Sequence, residues 1–324
     1  MANPLLSLPA VAAALPQIDD ELLAAVQADD PALTEMASHL IVAGGKRLRP
    51  LLAIAAGSCA TGGGPVPIEV VRGGVAVELV QQGSLHHDDV IDEAVTRRNV
   101  ESVNARWGNL RAIISGDFLL ARASGIAAAL GTEVAGLLAH TIGRLCTGEI
   151  SELQTAYQLD RSEDTYLRSI DDKTASLFSA ACRIGAIVAD LPRDQIDGLT
   201  RFGTAYGIAF QIVDDVLDLV ATDDQLGKPA GHDLVEGVYT LPVLRVLHGP
   251  DGDALHDLLG GPLDGAELDK ARSLVRGSPA VGQSIEVACA YADEAIAALA
   301  PLGDHAASAA LTGAARHLLA TVDA

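Results

Sequence analysis

Apolar residues recur at intervals of three and four along most of this chain, and this spacing constrains its fold more than any other feature. The spacing is present in segments 18–27, 33–43 and 68–95, and in most of the chain between 110 and 221. Residues with this period fall on one face of an α-helix, whereas the alternating runs that predict β-strands are missing. The sequence therefore predicts an all-α fold, with the helices in a single large bundle.

Two breaks interrupt the helical pattern without dividing the chain into domains. Residues 57–67 are rich in glycine and proline, and residues 224–237 combine glycine, proline and aspartate between helical segments. Such stretches are typical of loops between helices. With no internal repeat and no linker, we expect one domain over residues 1–324. Its motifs lie within about 40–240, and further helices follow at 241–324.

The chain carries 22 Lys and Arg residues against 43 Asp and Glu residues, a formal net charge of −21. Nonspecific affinity for nucleic acid or anionic lipid comes from Lys and Arg, so no nucleic-acid partner is expected. An apolar content of 49% also excludes a disordered chain. An anionic substrate can bind so acidic a protein only where metal ions or clustered cations change the local charge.

The sequence predicts a cytoplasmic location. Residues 1–23 lack a basic region and include prolines, so they are a poor secretory signal. No stretch reaches the roughly 18 uncharged apolar residues that span a bilayer. The four cysteines are far apart in the chain, which argues against zinc-site spacing or a disulfide framework and favours buried, reduced thiols.

The sequence HDDVID at 87–92 is the sharpest functional signal. Asp88 and Asp92 are four residues apart and share a helix face, with Asp89 beside them. Such a run is usually a solvated acidic face. Here, however, it directly follows an apolar helical stretch.

The same DDxxD spacing recurs in FQIVDDVLD at 210–218, which supplies Asp214, Asp215 and Asp218. One such motif is weak, but two motifs that both follow apolar helical runs predict facing carboxylate clusters at the mouth of a bundle. Ligand sets made only of oxygen select hard cations, and Mg²⁺ binds through a few carboxylates and substrate phosphates. The two motifs therefore predict a metal site.

Several of the scarce basic residues lie near the acidic motifs or beside glycine-rich segments. They are Lys46, Arg47, Arg49, Arg97, Arg98, Lys173 and Lys228. Taken singly, each would be an ordinary surface cation. Arg binds phosphate through paired hydrogen bonds and Lys supplies a point charge, so together with two metal clusters these residues predict diphosphate binding.

In combination, these motifs resemble those of the trans-isoprenyl diphosphate synthases, the polyprenyl synthetase family. The matching elements are GGKRLRP (44–50), HDDVID (87–92), RR (97–98), KTA (173–175), FQIVDDVLD (210–218) and LGKPAGHDL (226–234). The resemblance implies a helical bundle with a deep central cavity. It also implies an enzyme that condenses isopentenyl diphosphate with an allylic diphosphate.

The resemblance assigns roles to these residues. The implied ligands of three Mg²⁺ on the allylic diphosphate are Asp88, Asp92 and Asp214. The residues that complete the two clusters by direct or more distant contacts are Asp89, Asp215 and Asp218. The residues that match contacts to the allylic diphosphate are Arg97, Lys173 and Lys228. Those that match contacts to isopentenyl diphosphate are Lys46, Arg49 and Arg98.

Lys173, Gln211 and Arg97 are the residues that the resemblance places in catalysis, with Thr174 next to the lysine. No side-chain nucleophile is needed, because the departing diphosphate is the expected base and the allylic carbocation has only to be kept from water. His86 and His87 are alternative bases, but packing or support of the first motif is the interpretation we favour.

The chain departs from the family pattern at two positions. Gln81 stands where many members have a histidine that contacts isopentenyl diphosphate, and glutamine can donate a hydrogen bond but carries no charge. Asn99 replaces the commoner glycine after the arginine pair, and asparagine tolerates the left-handed conformation. Neither change removes a metal ligand or a cation, so we expect an active enzyme.

Three residues before the first motif bear on product length. In the family, an aromatic residue five or four positions ahead of the first aspartate stops growth early, and Gly83 and Ser84 occupy these positions, with Val80 one turn further back. We therefore expect products in the hexaprenyl to decaprenyl range. The alternative is a short-chain geranylgeranyl or farnesyl diphosphate synthase.

The apolar segments 112–130 and 134–147 predict a homodimer, because family members pair through such helices; the alternative is that both are central helices of the bundle. The product should pass to a membrane although the chain shows no anchor. A terpene cyclase would need more aromatic residues than the 3% present. A non-catalytic subunit of a heteromeric synthase would typically have lost its aspartates.

Overall fold

The computed structural model describes residues 3–221, 230–250 and 252–320. Within these ranges the chain is mostly helical and has only one pair of two-residue strands, which confirms the all-α prediction. The α-helices are α1 (Pro9–Ala25), α2 (Pro31–Val42), α3 (Leu48–Gly57), α4 (Ile68–Ile91), α5 (Val103–Trp107), α6 (Asn109–Leu130), α7 (Thr132–Thr155), α8 (Glu163–Ile170), α9 (Ser176–Val188), α10 (Arg193–Val220), α11 (His232–Val235), α12 (Leu241–Leu247), α13 (Asp253–His256), α14 (Gly265–Arg276), α15 (Ala280–Ala298) and α16 (Ala306–Leu319). Short 3₁₀ helices lie at Pro4–Ser7, Ser58–Thr61 and Ala300–Leu302, and a π-helical turn lies at Asp171–Ala175.

The chain forms two compact units, each built from separate stretches of sequence. The first unit consists of Met1–Ile142, Leu177–Gly203 and Ala298–Ala314. The second unit consists of Gly143–Ser176, Thr204–Ala297 and Ala315–Ala324. Helices α7, α9, α10, α15 and α16 contribute residues to both units. The single domain expected from the sequence stays a prediction.

In the first unit, glycines let the helices approach one another closely. A Cβ added at Gly74 of α4 would lie 2.9 Å from Cα of Pro50 in α3, and one added at Gly185 of α9 would lie 2.0 Å from the carbonyl oxygen of Ala53. Real Cβ atoms do not approach so closely, so these crossings require glycine. Helix α4 also packs against α1 and α6, and these contacts fix the end that carries the first DDxxD motif.

A two-residue turn follows this motif. Strands β1 (Thr96–Arg97) and β2 (Val100–Glu101) pair antiparallel, and Arg98 and Asn99 form the turn between them. Their φ angles are 54° and 62°, as a type I′ turn requires. Asn99 therefore has the left-handed conformation predicted for it.

In the second unit, an apolar core surrounds the C-terminal half of α10. Ile212 and Leu219 of α10 belong to one buried cluster with Tyr166 of α8 and with Tyr239. Because these side chains hold one face of α10 in the core, the orientation of the intervening aspartates is fixed as well.

Helix α6 is long and apolar enough to span a membrane by its length and composition alone, although it contains Asp117 and Arg122. Only 28% of its most apolar 18-residue window is buried, and Leu110 and Ile114 are 72% and 51% exposed. A single helix of this kind does not indicate a membrane protein. One face of α6 is therefore exposed in the single chain, while its other face packs against α4.

Candidate active site

The three carboxylates of the first DDxxD motif have different environments. Asp92 is exposed and Asp88 is half-buried, whereas Asp89 is fully buried. Nη2 and Nε of Arg97 lie 2.6 and 2.8 Å from Oδ1 of Asp89. Burial raises the pKa of Asp89, and the positive charge of Arg97 opposes that shift. Asp88 and Asp92 are thus accessible to a cation, while Asp89 and Arg97 position each other.

A chain of buried polar side chains runs through the first unit beside this motif. Gln82 donates from Nε2 to Glu78 at 2.6 Å and accepts at Oε1 from Arg98 at 3.3 Å. Arg47 donates to Glu78 at 3.4 Å and to Asp19 at 3.0 Å. The sequence reasoning missed Glu78 and Gln82, and the available signal was a pair of polar residues within an apolar stretch of α4.

The same arginines hold the glycine-rich loop that precedes α3. Arg98 donates to the backbone carbonyls of Leu40 and Gly44, and Arg47 donates to those of Ile41 and Gly44. Lys46 is exposed on this loop. Two of the three cations predicted to contact isopentenyl diphosphate therefore differ in their surroundings: Arg98 is hydrogen-bonded to backbone carbonyls, whereas Lys46 is accessible to solvent.

Arg49, the third of these cations, is held by an aromatic ring. Its Cζ lies 4.4 Å from the ring centre of Phe178, within the range of a cation–π contact. Gln81 is half-buried on α4. Phe178 is a further residue that the sequence reasoning did not single out.

His86 and His87 both contact α6. Nδ1 of His86 lies 2.9 Å from Oγ of Ser115, and Nε2 of His87 lies 3.1 Å from the carbonyl oxygen of Ile113. His86 is completely buried, and burial lowers its pKa to about 3. Its imidazole is therefore uncharged at neutral pH. These contacts favour the packing role over the role of general base.

The residues predicted to limit product length have unequal room around them. Val80 and Gly83 are buried, and Ser84 is half-buried. A Cβ added at Gly83 would lie 3.0 Å from the carbonyl oxygen of Gly116 and 3.2 Å from Cγ of Leu120. Gly83 therefore packs against α6, and a large side chain there would force the two helices apart. Ser84 is the better position for introducing bulk.

The second DDxxD motif also combines an exposed carboxylate with buried ones. Asp214 is exposed, whereas Asp215 and Asp218 are buried. The hydroxyl of Tyr166 donates to Oδ2 of Asp215 at 2.6 Å, and Nε2 of Gln211 donates to Oδ1 at 2.7 Å. Burial raises the pKa of Asp215 to about 7 despite both hydrogen bonds. Asp214 is the member of this motif that reaches solvent.

Segments before and after α10 are tied to this motif. Oγ1 of Thr174 donates to Oε1 of Gln211 at 2.8 Å. The backbone amide of Asp233 donates to Oδ2 of Asp218 at 3.2 Å. Lys228, predicted to contact the allylic diphosphate, lies outside the described residues.

Lys173 lies on the π-helical turn and is flanked by two glutamates of α7. Its Nζ is 2.7 Å from Oε2 of Glu149 and also bonds Oε1 of Glu152. A Cβ added at Gly148 would lie 2.5 Å from the backbone nitrogen of Lys173, so glycine permits this approach. The structure thus brings together Lys173 and two carboxylates that the sequence reasoning did not assign.

The donor sets of the two motifs fit a hard divalent cation. Asp88, Asp92 and Asp214 present carboxylate oxygens that solvent can reach. Within the described residues, no group of three or more His, Cys, Asp or Glu side chains forms a complete metal site. A cation whose shell is completed by substrate phosphates needs no such group. Each motif by itself therefore fits a metal that binds together with a diphosphate.

Comparison with known proteins decides the family. Residues 30–275 match the sequence profile of the family described as Polyprenyl synthetase. The chain belongs to the polyprenyl synthetase family. Its members include named prenyl transferases and polyprenyl diphosphate synthases, and this chain is a prenyltransferase.

Two relatives and one solved structure illustrate the similarity. The nonaprenyl diphosphate synthase of Mycobacterium tuberculosis is 39% identical over 298 residues, covering 91% of this chain and 88% of the relative. The heptaprenyl diphosphate synthase component 2 of Geobacillus stearothermophilus is 40% identical over 284 residues, covering 87% and 88%. The polyprenyl synthase of Caulobacter crescentus, crystallised with calcium and isoprenyl diphosphate, has a TM-score of 0.91 at 33% identity, covering 98% of this chain and 96% of that one. Divalent metal binding thus occurs in the family.

Replacing His86 with asparagine should make stability less sensitive to acid. Because burial lowers the folded-state pKa of His86 from 6.5 to about 3, its contribution to stability is fully present above pH 6.5 and is lost as the pH falls toward 3. The loss approaches about 1.4 kcal/mol per pH unit. The fall in Tm between pH 7 and pH 5, followed by circular dichroism, should be smaller in His86→Asn than in the wild type. Replacement of the exposed His140 by asparagine should leave this fall unchanged, and an unchanged fall in His86→Asn would contradict the assignment.

Proposed function

We propose that this protein is a Mg²⁺-dependent prenyltransferase that joins isopentenyl diphosphate head-to-tail (1′-4) to an allylic diphosphate and yields an all-trans polyprenyl diphosphate. One observation carries this proposal: each DDxxD motif exposes at least one aspartate and holds another in buried hydrogen bonds. If the motifs were only solvated acidic faces, all their aspartates would be exposed to water. Instead, Asp89 is buried against Arg97 and Asp215 is buried against Tyr166.

The accessible carboxylates of Asp88, Asp92 and Asp214 are the proposed ligands of three Mg²⁺ ions. When bound, these ions supply positive charge against the charge that develops on the leaving diphosphate. The remaining aspartates of the two motifs support the site: Asp89 orients Arg97, and Asp215 orients Gln211.

The cations divide between the two substrates. Those proposed for the allylic diphosphate are Arg97, Lys173 and Lys228. Those proposed for isopentenyl diphosphate are Lys46, Arg49 and Arg98, with Gln81 as an uncharged donor. Arg97 is oriented by Asp89 and Arg49 by Phe178, and groups oriented before substrate arrives do not have to be reorganised during reaction.

The reaction needs no covalent bond to the protein. The bond between C1 and the diphosphate oxygen breaks, the double bond of isopentenyl diphosphate attacks C1, and a proton from the new unit passes to the departed diphosphate. Gln211 is fixed between Thr174 and Asp215, and it is the residue proposed to lie near the reacting centre. The protein's other task is to keep water from the carbocation.

Incubation of the purified chain with isopentenyl diphosphate, an allylic primer and Mg²⁺ tests this function. Chromatography of the dephosphorylated products should show polyprenols, and a chelator should abolish their formation. Replacing Asp92 with asparagine should lower kcat by about 100-fold or more, because a ligand is lost from the Mg²⁺ that stabilises the charge on the leaving diphosphate. The neighbouring Glu93→Gln serves as the matched control and should retain activity. Absence of elongation with dimethylallyl, geranyl and farnesyl primers would refute the proposal.

We propose a product of hexaprenyl to decaprenyl length. Support comes from the small side chains at Gly83 and Ser84, and from relatives whose names are nonaprenyl and heptaprenyl diphosphate synthase. A short-chain geranylgeranyl or farnesyl product is the alternative.

Replacing Ser84 with phenylalanine should shorten the product by at least one five-carbon unit, because the larger ring obstructs the path of the growing tail. Ser84 is half-buried and so has room that Gly83 lacks. Product lengths from Ser84→Phe are compared with those from Ser124→Phe, which alters an exposed serine of α6. An unchanged distribution in Ser84→Phe would rule out this residue as part of the floor.

We propose that the chain acts as a cytoplasmic homodimer that delivers its product to a membrane. Leu110, Ile113 and Ile114 expose apolar area on one helix, α6, and such patches mark protein contacts. A relative named component 2 of a heptaprenyl diphosphate synthase supports a second candidate, a heteromeric enzyme. Activity of the chain alone discriminates between the two assemblies.

Replacing Ile114 with aspartate should convert the dimer to a monomer, because an unpaired charge would be buried in the contact. The mass measured by light scattering after size-exclusion chromatography should fall to that of one chain, whereas Ser273→Asp, at an exposed serine of α14, should leave it unchanged. A wild type that elutes as a monomer would contradict the proposed assembly.

A further inference from the structure

Lys173, proposed to bind the allylic diphosphate, is paired in this structure with carboxylates of its own chain. Glu149 and Glu152 both bond its ammonium group, and their side chains are only 18% and 19% exposed. A diphosphate that takes Lys173 as a partner therefore has to compete with both glutamates. A displaced carboxylate left beside the diphosphate would repel it, because both are negative and partly shielded from water.

Arg161, in the loop between α7 and α8, supplies a second cation in the same unit. It is 3% exposed, and its Nη1 donates to the backbone carbonyl of Tyr239 at 3.3 Å. Its Nε and Nη2 are buried and have no hydrogen-bond partner among the residues that the structure describes. Leaving these two donors without partners costs free energy, so a carboxylate that reached them would be stabilised there.

Arg161 lies beside the polar cluster of the second motif: its Cζ is 5.7 Å from the ring centre of Tyr166, whose hydroxyl donates to Asp215. Burial lowers the pKa of Arg161, and the negative charges of Glu152 and Asp215 oppose that shift. Asp215 already accepts hydrogen bonds from Tyr166 and Gln211. Glu152, in contrast, is bonded to Lys173. The diphosphate is proposed to bind Lys173, so Glu152 is the carboxylate that would lose its partner.

We propose that Glu152 exchanges partners during the catalytic cycle: it bonds Lys173 before substrate arrives and turns to Nε and Nη2 of Arg161 when the diphosphate takes Lys173. Arg161 is then a positioning residue, which acts on the substrate through Glu152 without touching it. This inference rests on the proposed function, since it assumes that Lys173 binds the allylic diphosphate. The paired donors of an arginine suit a carboxylate better than a point charge does.

A double-mutant cycle separates partner exchange from the simpler roles of Arg161. The variants are Arg161→Met, Glu152→Gln and their combination, with Arg168→Met, an exposed arginine of α8, as the matched control. Titration calorimetry measures the Kd of farnesyl thiodiphosphate, an unreactive allylic analogue, in the presence of Mg²⁺. Thermal denaturation verifies that each variant is folded.

Arg161→Met should weaken binding of the analogue by about tenfold, the effect of losing one charge-assisted hydrogen bond. Glu152→Gln should tighten binding, because the competitor for Lys173 loses its charge. In the Glu152→Gln background, Arg161→Met should change Kd by less than about twofold. The KM for isopentenyl diphosphate should stay at the wild-type value throughout, and so should every parameter of Arg168→Met.

An equal effect of Arg161→Met in both backgrounds would overturn the exchange, since Arg161 would then act directly on the diphosphate or on the fold. Arg161→Lys provides a second variant in case Arg161→Met does not fold. Arg161→Lys keeps a positive charge with which Glu152 can pair, so the Kd of the analogue should stay within about threefold of the wild-type value. A larger loss of affinity that persists in the Glu152→Gln background would also overturn the exchange. Failure of the wild type to bind the analogue would refute the proposed function together with this inference.

Discussion

A carboxylate removed from water is costly unless other groups replace its hydration, and this constraint organises both DDxxD motifs. Asp89 is buried against Arg97, and Asp215 is buried against Tyr166 and Gln211. Each buried aspartate fixes the rotation of its helix, and this rotation sets the side from which the neighbouring aspartates project. A run of acidic residues thereby becomes an oriented set of ligands, and the residues that hold the buried members become part of the site.

Much of this was predictable from the sequence, because the helical period specifies which residues share a face. It predicted the all-α fold and placed Asp88 and Asp92 together at the end of an apolar helix. It did not predict that Tyr166 holds Asp215, because that contact joins residues 49 positions apart. It also could not show that Gly83 packs against α6, since glycine leaves no side-chain pattern to interpret. The missed features depend on packing between helices, which the periodicity of one segment does not encode.

Net charge alone does not describe how the cations near the motifs are used, because several of them are held by buried or backbone partners. Arg47 and Arg161 are only 8% and 3% exposed, and Arg98 bonds backbone carbonyls and Gln82. These arginines pair with buried polar groups and hold loops, and the remaining excess of acidic residues gives the chain its net charge. An acidic surface keeps a protein with a large apolar content soluble, and it also means that anionic substrates are attracted only where local cations and metals act.

Acidic residues around a bound diphosphate therefore have to be of two kinds. Asp214 is exposed and Asp88 is half-buried, and both are proposed to bind the cations that arrive with the substrate. Glu152 is mostly buried and has a partner only until the substrate takes Lys173, so it needs a second cation within reach, and Arg161 has the unused donors. Without that cation, the substrate would have to overcome both the original ion pair and the repulsion of the carboxylate it displaced. A carboxylate that changes partners thus needs a nearby cation whose hydrogen-bond donors are unused before the exchange, and a buried arginine with two such donors meets this need.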